Sequence, residues 1–382
     1  MTNGFSRPIE RAAALGVAGL VSIALCALTP IRGWADDGNG DALERTSSLK
    51  RAGCTPFGNP PRPRNDALTD STNAAVTCVG GGYRLPNWTD PNGTHRAACL
   101  YDPGTATPQH PLPLLVYVEG SMEALDSQLP RLNVLQALST ADLTGDPSRP
   151  GFILLAPVGR VTDHFYPPPD DTNTLGWDVW YRQFGPPLRV VDGALYPLNA
   201  DFATLDHYIA AQVATGRVDT RRIYLLGQSN GASLALVYGQ NRPSVAALAL
   251  YAAPSPYDAL SDPCGQKPVT GPPRDDTELQ IVNPSIPAFH IHNACDIFGI
   301  CPNCLELRDE LAASHTAQLR DQIITGYLTL PTDACVDACG TDPRGDPDNL
   351  AALIFGGLEH GRWPSAWLDV WFAFLRDHPL HG

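Results

Sequence analysis

The sequence predicts an α/β fold: a mostly parallel central sheet with helices on both faces. Two observations carry this. From Cys78 onward, short apolar runs alternate with amphipathic segments, as expected where parallel strands are joined by crossover helices. One such run, Ile223–Leu226, leads through Gly227-Gln228-Ser229-Asn230-Gly231 into a helix-like stretch from Ala232. A Gly-x-Ser-x-Gly turn between a strand and a helix belongs to that architecture.

Taken in order, Ala97–Tyr101 and Leu112–Val118 read as strands, Leu129–Ala141 as a helix and Phe152–Ala156 as a buried strand. Asn199–Ala214 is an amphipathic helix, with Phe202, Leu205, Ile209 and Val213 at spacings of three and four. Ala232–Gly239 is a helix, and Leu248–Ala252 and Ile286–Ile291 are strands. Cys304–Leu319 reads as a helix, Ala351–Phe355 as a strand and Ala366–Leu375 as a closing helix. Pro-rich Tyr166–Asp171 and the segment Asp258–Pro284 are long loops, the kind that line sites. No repeat with a period of 20–50 residues is visible.

Ahead of this body, Arg7 and Arg11 precede an apolar run from Ala12 to Leu28, and Gly33-Trp34-Ala35 precedes Asp36-Asp37. A basic start, an apolar middle and a small-residue exit predict a secretory signal peptide over 1–35. A retained anchor is the alternative, but 17 residues containing Gly16 and Gly19 sit at the short limit for a spanning helix. Residues 36–77, rich in Pro and polar residues, read as a poorly structured arm, and 78–382 as the catalytic domain.

The chain has 382 residues, with 26 Lys+Arg against 40 Asp+Glu, a net charge of −14. Loss of residues 1–35 removes three Arg and one Glu, leaving −16. No basic run offers a phosphate-binding face, so the reading excludes a nucleic-acid partner, and it expects no stable membrane insertion once the signal is gone. Ten cysteines, nine after the signal, suit disulfides in an oxidising compartment outside the cytoplasm. For Cys301-Pro-Asn-Cys304 and Cys335/Cys339, a four-thiolate zinc site and a redox pair are alternatives to disulfides. Connectivity is not readable from sequence.

Ser229, held on the turn, needs a base, because an unassisted hydroxyl is a weak nucleophile. In α/β-hydrolase folds the chain order is Ser, acid, His. His360, on a loop between a strand-like and a helix-like run, fits that order better than His315, His378 or His381. Asp296, just past the run Ile286–Ile291, is the acid that would hold the imidazole tautomer, with Asp258 and Asp262 as rivals. Trp177, Trp180, Tyr181 and Trp363 are candidates for an aromatic substrate wall or for core packing.

From about Tyr83 to Pro379 the chain resembles secreted polyhydroxybutyrate depolymerase and feruloyl esterase-like α/β-hydrolases. The matching pieces are Leu112-Pro113-Leu114-Leu115-Val116, Gly176-Trp177, Asp219-Thr220-Arg221-Arg222-Ile223-Tyr224, Gly227–Gly231, and His360 shortly before Trp363-Pro364. The resemblance implies a serine esterase with a Ser229–His360–Asp296 triad, needing no metal or organic cofactor, for esters of short-acyl, hydroxyalkanoate or hydroxycinnamate type. Where the family carries His-Gly after its third strand, this chain has Glu119-Gly120-Ser121. The oxyanion donors are then expected to be the backbone N–H groups of Asn230 and Ser121. A carboxylate at 119 opposes a developing oxyanion unless it points away; its bland alternative is a solvent-facing side chain at a strand end. Other functions open at this point are a serine peptidase on the same scaffold and a catalytically degenerate binding protein.

Overall fold

A computed structural model describes residues 66–90, 93–121, 125, 129–162, 174–177, 188–191, 194–197, 200–254, 283, 285–293, 296, 307, 319–325, 328–330 and 360–381. The signal and most of the arm, the loops at 166–171 and 258–282, and the expected strand at 351–355 lie outside the described residues. So do Trp180, Tyr181, Cys301, Cys304, Cys335 and Cys339.

The described chain opens with α1 (Asp66–Ala75), followed by the short strands β1 (Tyr83–Arg84), β2 (Trp88–Thr89) and β3 (His95–Arg96). The main run is β4 (Ala98–Tyr101), β5 (Leu112–Val118), the single turn α2 (Val134–Ala137), β6 (Ile153–Pro157), β7 (Arg160–Thr162) and β8 (Thr174–Gly176). β9 (Leu188–Val191) and β10 (Ala194–Pro197) form a hairpin before α3 (Ala200–Val213), β11 (Val218–Gln228) and α4 (Asn230–Gln240). The chain continues with β12 (Ala247–Tyr251), β13 (Ala288–Asn293), β14 (Leu319–Thr325), β15 (Leu328–Leu330) and α5 (Leu368–Arg376).

Nine of these strands form one sheet, ordered β1-β4-β6-β5-β11-β12-β13-β14-β15. The six from β6 to β14 are parallel, and β1, β4 and β15 are antiparallel additions at the edges. This is the α/β-hydrolase fold. The chain passes from β5 outward to β6 and then returns to β11 on the other side of β5. The strand order therefore reverses between β5 and β11, the switch point beyond whose carboxyl ends open α/β sheets form their binding crevice.

The central strands β5, β6 and β12 are apolar throughout because both their faces are covered. On β5, Leu115 and Tyr117 enter one core, while Leu114, Val116 and Val118 enter the other. Trp371, Phe372 and Leu375 of α5 close the first; Phe202, Leu205, Leu234 and Val237 of α3 and α4 close the second. At about 25 cal/mol per Å² of apolar surface removed from water, these two layers are the main favourable contribution to folding.

Three expectations change. The helix over Leu129–Ala141 shrinks to a 3-10 turn at Leu129–Leu132 and to α2, because Asn133 between them is left-handed (φ 58°). Leu319, expected to end a helix, begins β14; Arg320, Asp321 and Gln322 conceal its strand character. Residues 66–75, assigned to the arm, form α1. It is docked by a hydrogen bond from the Thr69 hydroxyl to Val161 O (3.3 Å) and from Asn73 Nδ2 to His95 O (2.8 Å). Cys78 and Cys99 form a disulfide joining the segment after α1 to β4.

Candidate active site

Ser229 stands at the carboxyl end of β11, at the switch point. Its backbone has φ 53° and ψ −127°, a conformation that costs an L-residue about 1–3 kcal/mol and concentrates at functional sites. The turn is made possible by its glycines. A Cβ at Gly227 would strike the backbone of Ala232, and one at Gly231 would overlap the carbonyl oxygens of Val118 and Glu119. The Ser229 N–H continues the ladder, donating to Tyr251 O at 2.8 Å. Its hydroxyl is thereby projected beyond the sheet.

His360 and Asp296 complete a hydrogen-bonded line. His360 Nε2 lies 2.8 Å from Ser229 Oγ, and His360 Nδ1 lies 2.9 and 2.8 Å from the two oxygens of Asp296. An ionised carboxylate only accepts, so Nδ1 carries the proton and donates, leaving Nε2 to accept from the serine hydroxyl. Asp296 is buried, in a turn where its N–H donates to Asn293 O (3.1 Å), just beyond β13. His360 keeps a partly open edge, with 15% of its side chain exposed. The rivals Asp258 and Asp262 lie outside the described residues.

Asn230 begins α4, and its side chain pairs with the main chain of Trp177. Asn230 Oδ1 accepts from Trp177 N (2.8 Å), and Asn230 Nδ2 donates to Trp177 O (3.3 Å). Ser121 is half-buried in the loop after β5, and that loop lies against the start of α4 through Gly231. Glu119 is not the solvent-facing side chain of the bland alternative. It is wholly buried, and its Oε1 accepts from Gly159 N at 2.7 Å. Trp177 is also wholly buried, its indole N–H donated to Glu119 O at 2.9 Å. Trp363 packs edge-to-face on Tyr251 (centroids 5.7 Å apart) and against Trp371 (5.2 Å). Both tryptophans thus sit among core residues.

Sequence reasoning missed a buried polar cluster beneath the acid. His290 and His292 alternate along β13 with stacked rings 5.0 Å apart, and Asp321 of β14 lies 3.5 and 3.4 Å from their nitrogens. His290 Nε2 accepts from Ala253 N (3.2 Å). Burial pushes His290 down to about 3, and the neighbouring His292 adds to this, while Asp321 and Asp296 oppose it. The period-two spacing of the two histidines was the only available signal. Among the described residues, no group of three or more His, Cys, Asp or Glu side chains is arranged to hold a metal ion.

No family model matches the chain, and no curated protein matches it. Solved structures do. An S-formylglutathione hydrolase from Agrobacterium tumefaciens is 13% identical, with TM-score 0.45 over 79% of this chain and 97% of that one. A ferulic acid esterase is 14% identical, with TM-score 0.43 over 64% and 90%. A thermostable esterase is 16% identical, with TM-score 0.39 over 72% of this chain and 62% of that one.

Proposed function

We propose that this chain is an exported serine hydrolase of carboxylic esters, working through an acyl-enzyme. What supports the reading most directly is the line from Ser229 through His360 to Asp296, with both hydrogen bonds under 3 Å. In this reading Ser229 Oγ attacks the ester carbonyl while His360 Nε2 takes its proton. Asp296 holds the imidazole tautomer and stabilises the imidazolium. The N–H groups of Asn230 and Ser121 receive the tetrahedral oxyanion. Collapse expels the alcohol, which leaves with the proton from His360. Water, deprotonated by the same histidine, then releases the acid and restores Ser229.

The acyl group in this proposal is short or aromatic, following the family resemblance. Export draws support from the Cys78–Cys99 disulfide and from the signal-like N-terminus. The deciding experiment is a panel of 4-nitrophenyl esters from acetate to palmitate, run with methyl ferulate and amorphous polyhydroxybutyrate. The expected result is the highest kcat/KM on short or aromatic esters. A maximum on palmitate would point to a lipase, and cleavage of peptide amides alone to a peptidase. No turnover together with no fluorophosphonate labelling of Ser229 would leave a binding protein.

A further inference from the structure

Glu119 occupies a position where an ester hydrolase has reason to exclude a carboxylate. It directly follows the strand β5 that leads into the oxyanion loop, and a negative charge aimed at a developing oxyanion would oppose catalysis. The structure turns that carboxylate sideways along the sheet. Its Oε1 takes the N–H of Gly159, just past β6, at 2.7 Å. The fit is close, since a Cβ at Gly159 would come within 3.2 Å of that oxygen and 3.0 Å of Gly176 O.

The same residue is held at its main chain. Trp177 Nε1 donates to Glu119 O at 2.9 Å, and the Trp177 backbone is gripped at both its N–H and its C=O by the Asn230 carboxamide. A continuous hydrogen-bonded path therefore runs from Gly159 through Glu119 and Trp177 to Asn230. It ties together the segments that follow β6, β5 and β8 and the first turn of α4. Glu119 and Trp177 are wholly buried and Asn230 is 5% exposed, so these bonds act in a low-dielectric interior, where they are stronger and more rigid than in water.

The two ends of the oxyanion hole hang on this path. One donor, the N–H of Asn230, belongs to the residue whose side chain anchors it. The other, the N–H of Ser121, lies two residues beyond Glu119. We propose that Glu119, Trp177 and the Asn230 carboxamide form a positioning brace that fixes the spacing of these two donors. The carboxylate serves as an acceptor for Gly159 rather than as a charge near the reaction. This rests on the ester-hydrolase reading above. Preorganised donors need no rearrangement in the transition state, so a brace of this kind acts on turnover and leaves substrate affinity alone.

The test uses the full chain with Glu119→Ala, Glu119→Gln and Trp177→Phe. Each is assayed for kcat and KM on a short 4-nitrophenyl ester and for inhibition by a boronic acid, which forms a tetrahedral anionic adduct on Ser229. Glu119→Ala and Trp177→Phe are expected to lower kcat roughly tenfold or more, short of the 10²–10³-fold loss from deleting a donor. KM should stay within about twofold, and boronate affinity should fall in step with kcat. Glu119→Gln keeps the acceptor and should recover most of the turnover. If Glu119→Ala does not fold, Trp177→Phe decides; it deletes the indole N–H together with part of a wholly buried ring, so a thermal melt first checks that it is folded. A folded Trp177→Phe with unchanged kcat and boronate affinity overturns the brace. So does a Glu119→Gln as impaired as Glu119→Ala, or a rise in KM with kcat unmoved. Wild-type protein that neither hydrolyses esters nor labels at Ser229 overturns the hydrolase reading itself, and the brace with it.

Discussion

Ser229 and His360 reach their 2.8 Å hydrogen bond by different routes. The serine side is built from backbone. β11 is paired on both flanks, by β5 and β12; the turn is closed by glycines that allow no Cβ, and every residue of α4 is buried. The histidine side is built from side chains that meet across long stretches of sequence. Asp296 and His360 are 64 residues apart, and the segment after His360 is pinned by the Tyr251 hydroxyl, which donates to Arg362 O at 2.6 Å. A backbone-built half should tolerate trimming of its side chain and resist any addition. A side-chain-built half should fail when one functional group is exchanged.

The largest effects test that contrast along the hydrogen-bonded line itself. Ser229→Ala should abolish turnover by several orders of magnitude without changing the thermal midpoint, because the turn does not depend on the hydroxyl. Ester assays and thermal melts check both halves of the statement; substantial residual turnover would remove Ser229 as nucleophile. Asp296→Asn should cost roughly 10⁴-fold in kcat by presenting the wrong tautomer, far more than Asp258→Asn. The reverse ranking would move the acid to the segment after β12.

Next in size is the opposite operation. Gly231→Ala adds one carbon against the carbonyl oxygens of Val118 and Glu119. Forced overpacking against backbone costs about 1–3 kcal/mol or more, since main chain cannot rotate aside. Chemical denaturation should find the variant destabilised by at least that amount. Wild-type stability in Gly231→Ala would mean that the loop after β5 does not lie on the helix start.

The same contrast explains what could be read from the sequence. The strands β5, β6 and β12 are unbroken apolar runs, so both their existence and their burial are visible. The serine turn is contained in five residues, and His360 follows from chain order. β14 is hidden because Arg320, Asp321 and Gln322 break its apolar pattern, and Asp321 is polar for a reason that lies on β13. Nothing near Asn133 announces that a left-handed residue will interrupt a helix. The orientation of Glu119 depends on an N–H forty positions later, and Trp177 meets Asn230 across fifty-three. Contacts of that kind leave no local trace.

Beneath the histidine side, the buried imidazole of His290 should make stability depend on pH. His290 is held neutral in the fold, down to about 3, by burial first and by His292 second. An unfolded histidine takes its proton near 6.5. The contribution is therefore complete above about pH 6.5 and is lost as pH falls from there toward 3, at up to about 1.4 kcal/mol per pH unit. Denaturant midpoints at pH 7, 6, 5 and 4 should decline in the wild type and decline less in His290→Gln. Identical slopes would assign the acid sensitivity to other groups.

The smallest expected effect asks how firmly the histidine side is held. Tyr251 ends β12, and its hydroxyl is bonded to the carbonyl of Arg362, two positions beyond His360. Its ring meanwhile packs edge-to-face on Trp363. Tyr251→Phe keeps the ring and deletes one hydrogen bond, which should cost about 1 kcal/mol of stability. Turnover should fall only a few-fold, since Asp296 still fixes the imidazole from its other nitrogen. KM should not change, because the carbonyl of Arg362 supports the segment that carries His360. A loss as deep as that of Asp296→Asn would show that the tyrosine, rather than the aspartate, sets the position of His360. No change in either stability or kcat would show that the packing of Trp363 on Trp371 holds the loop unaided.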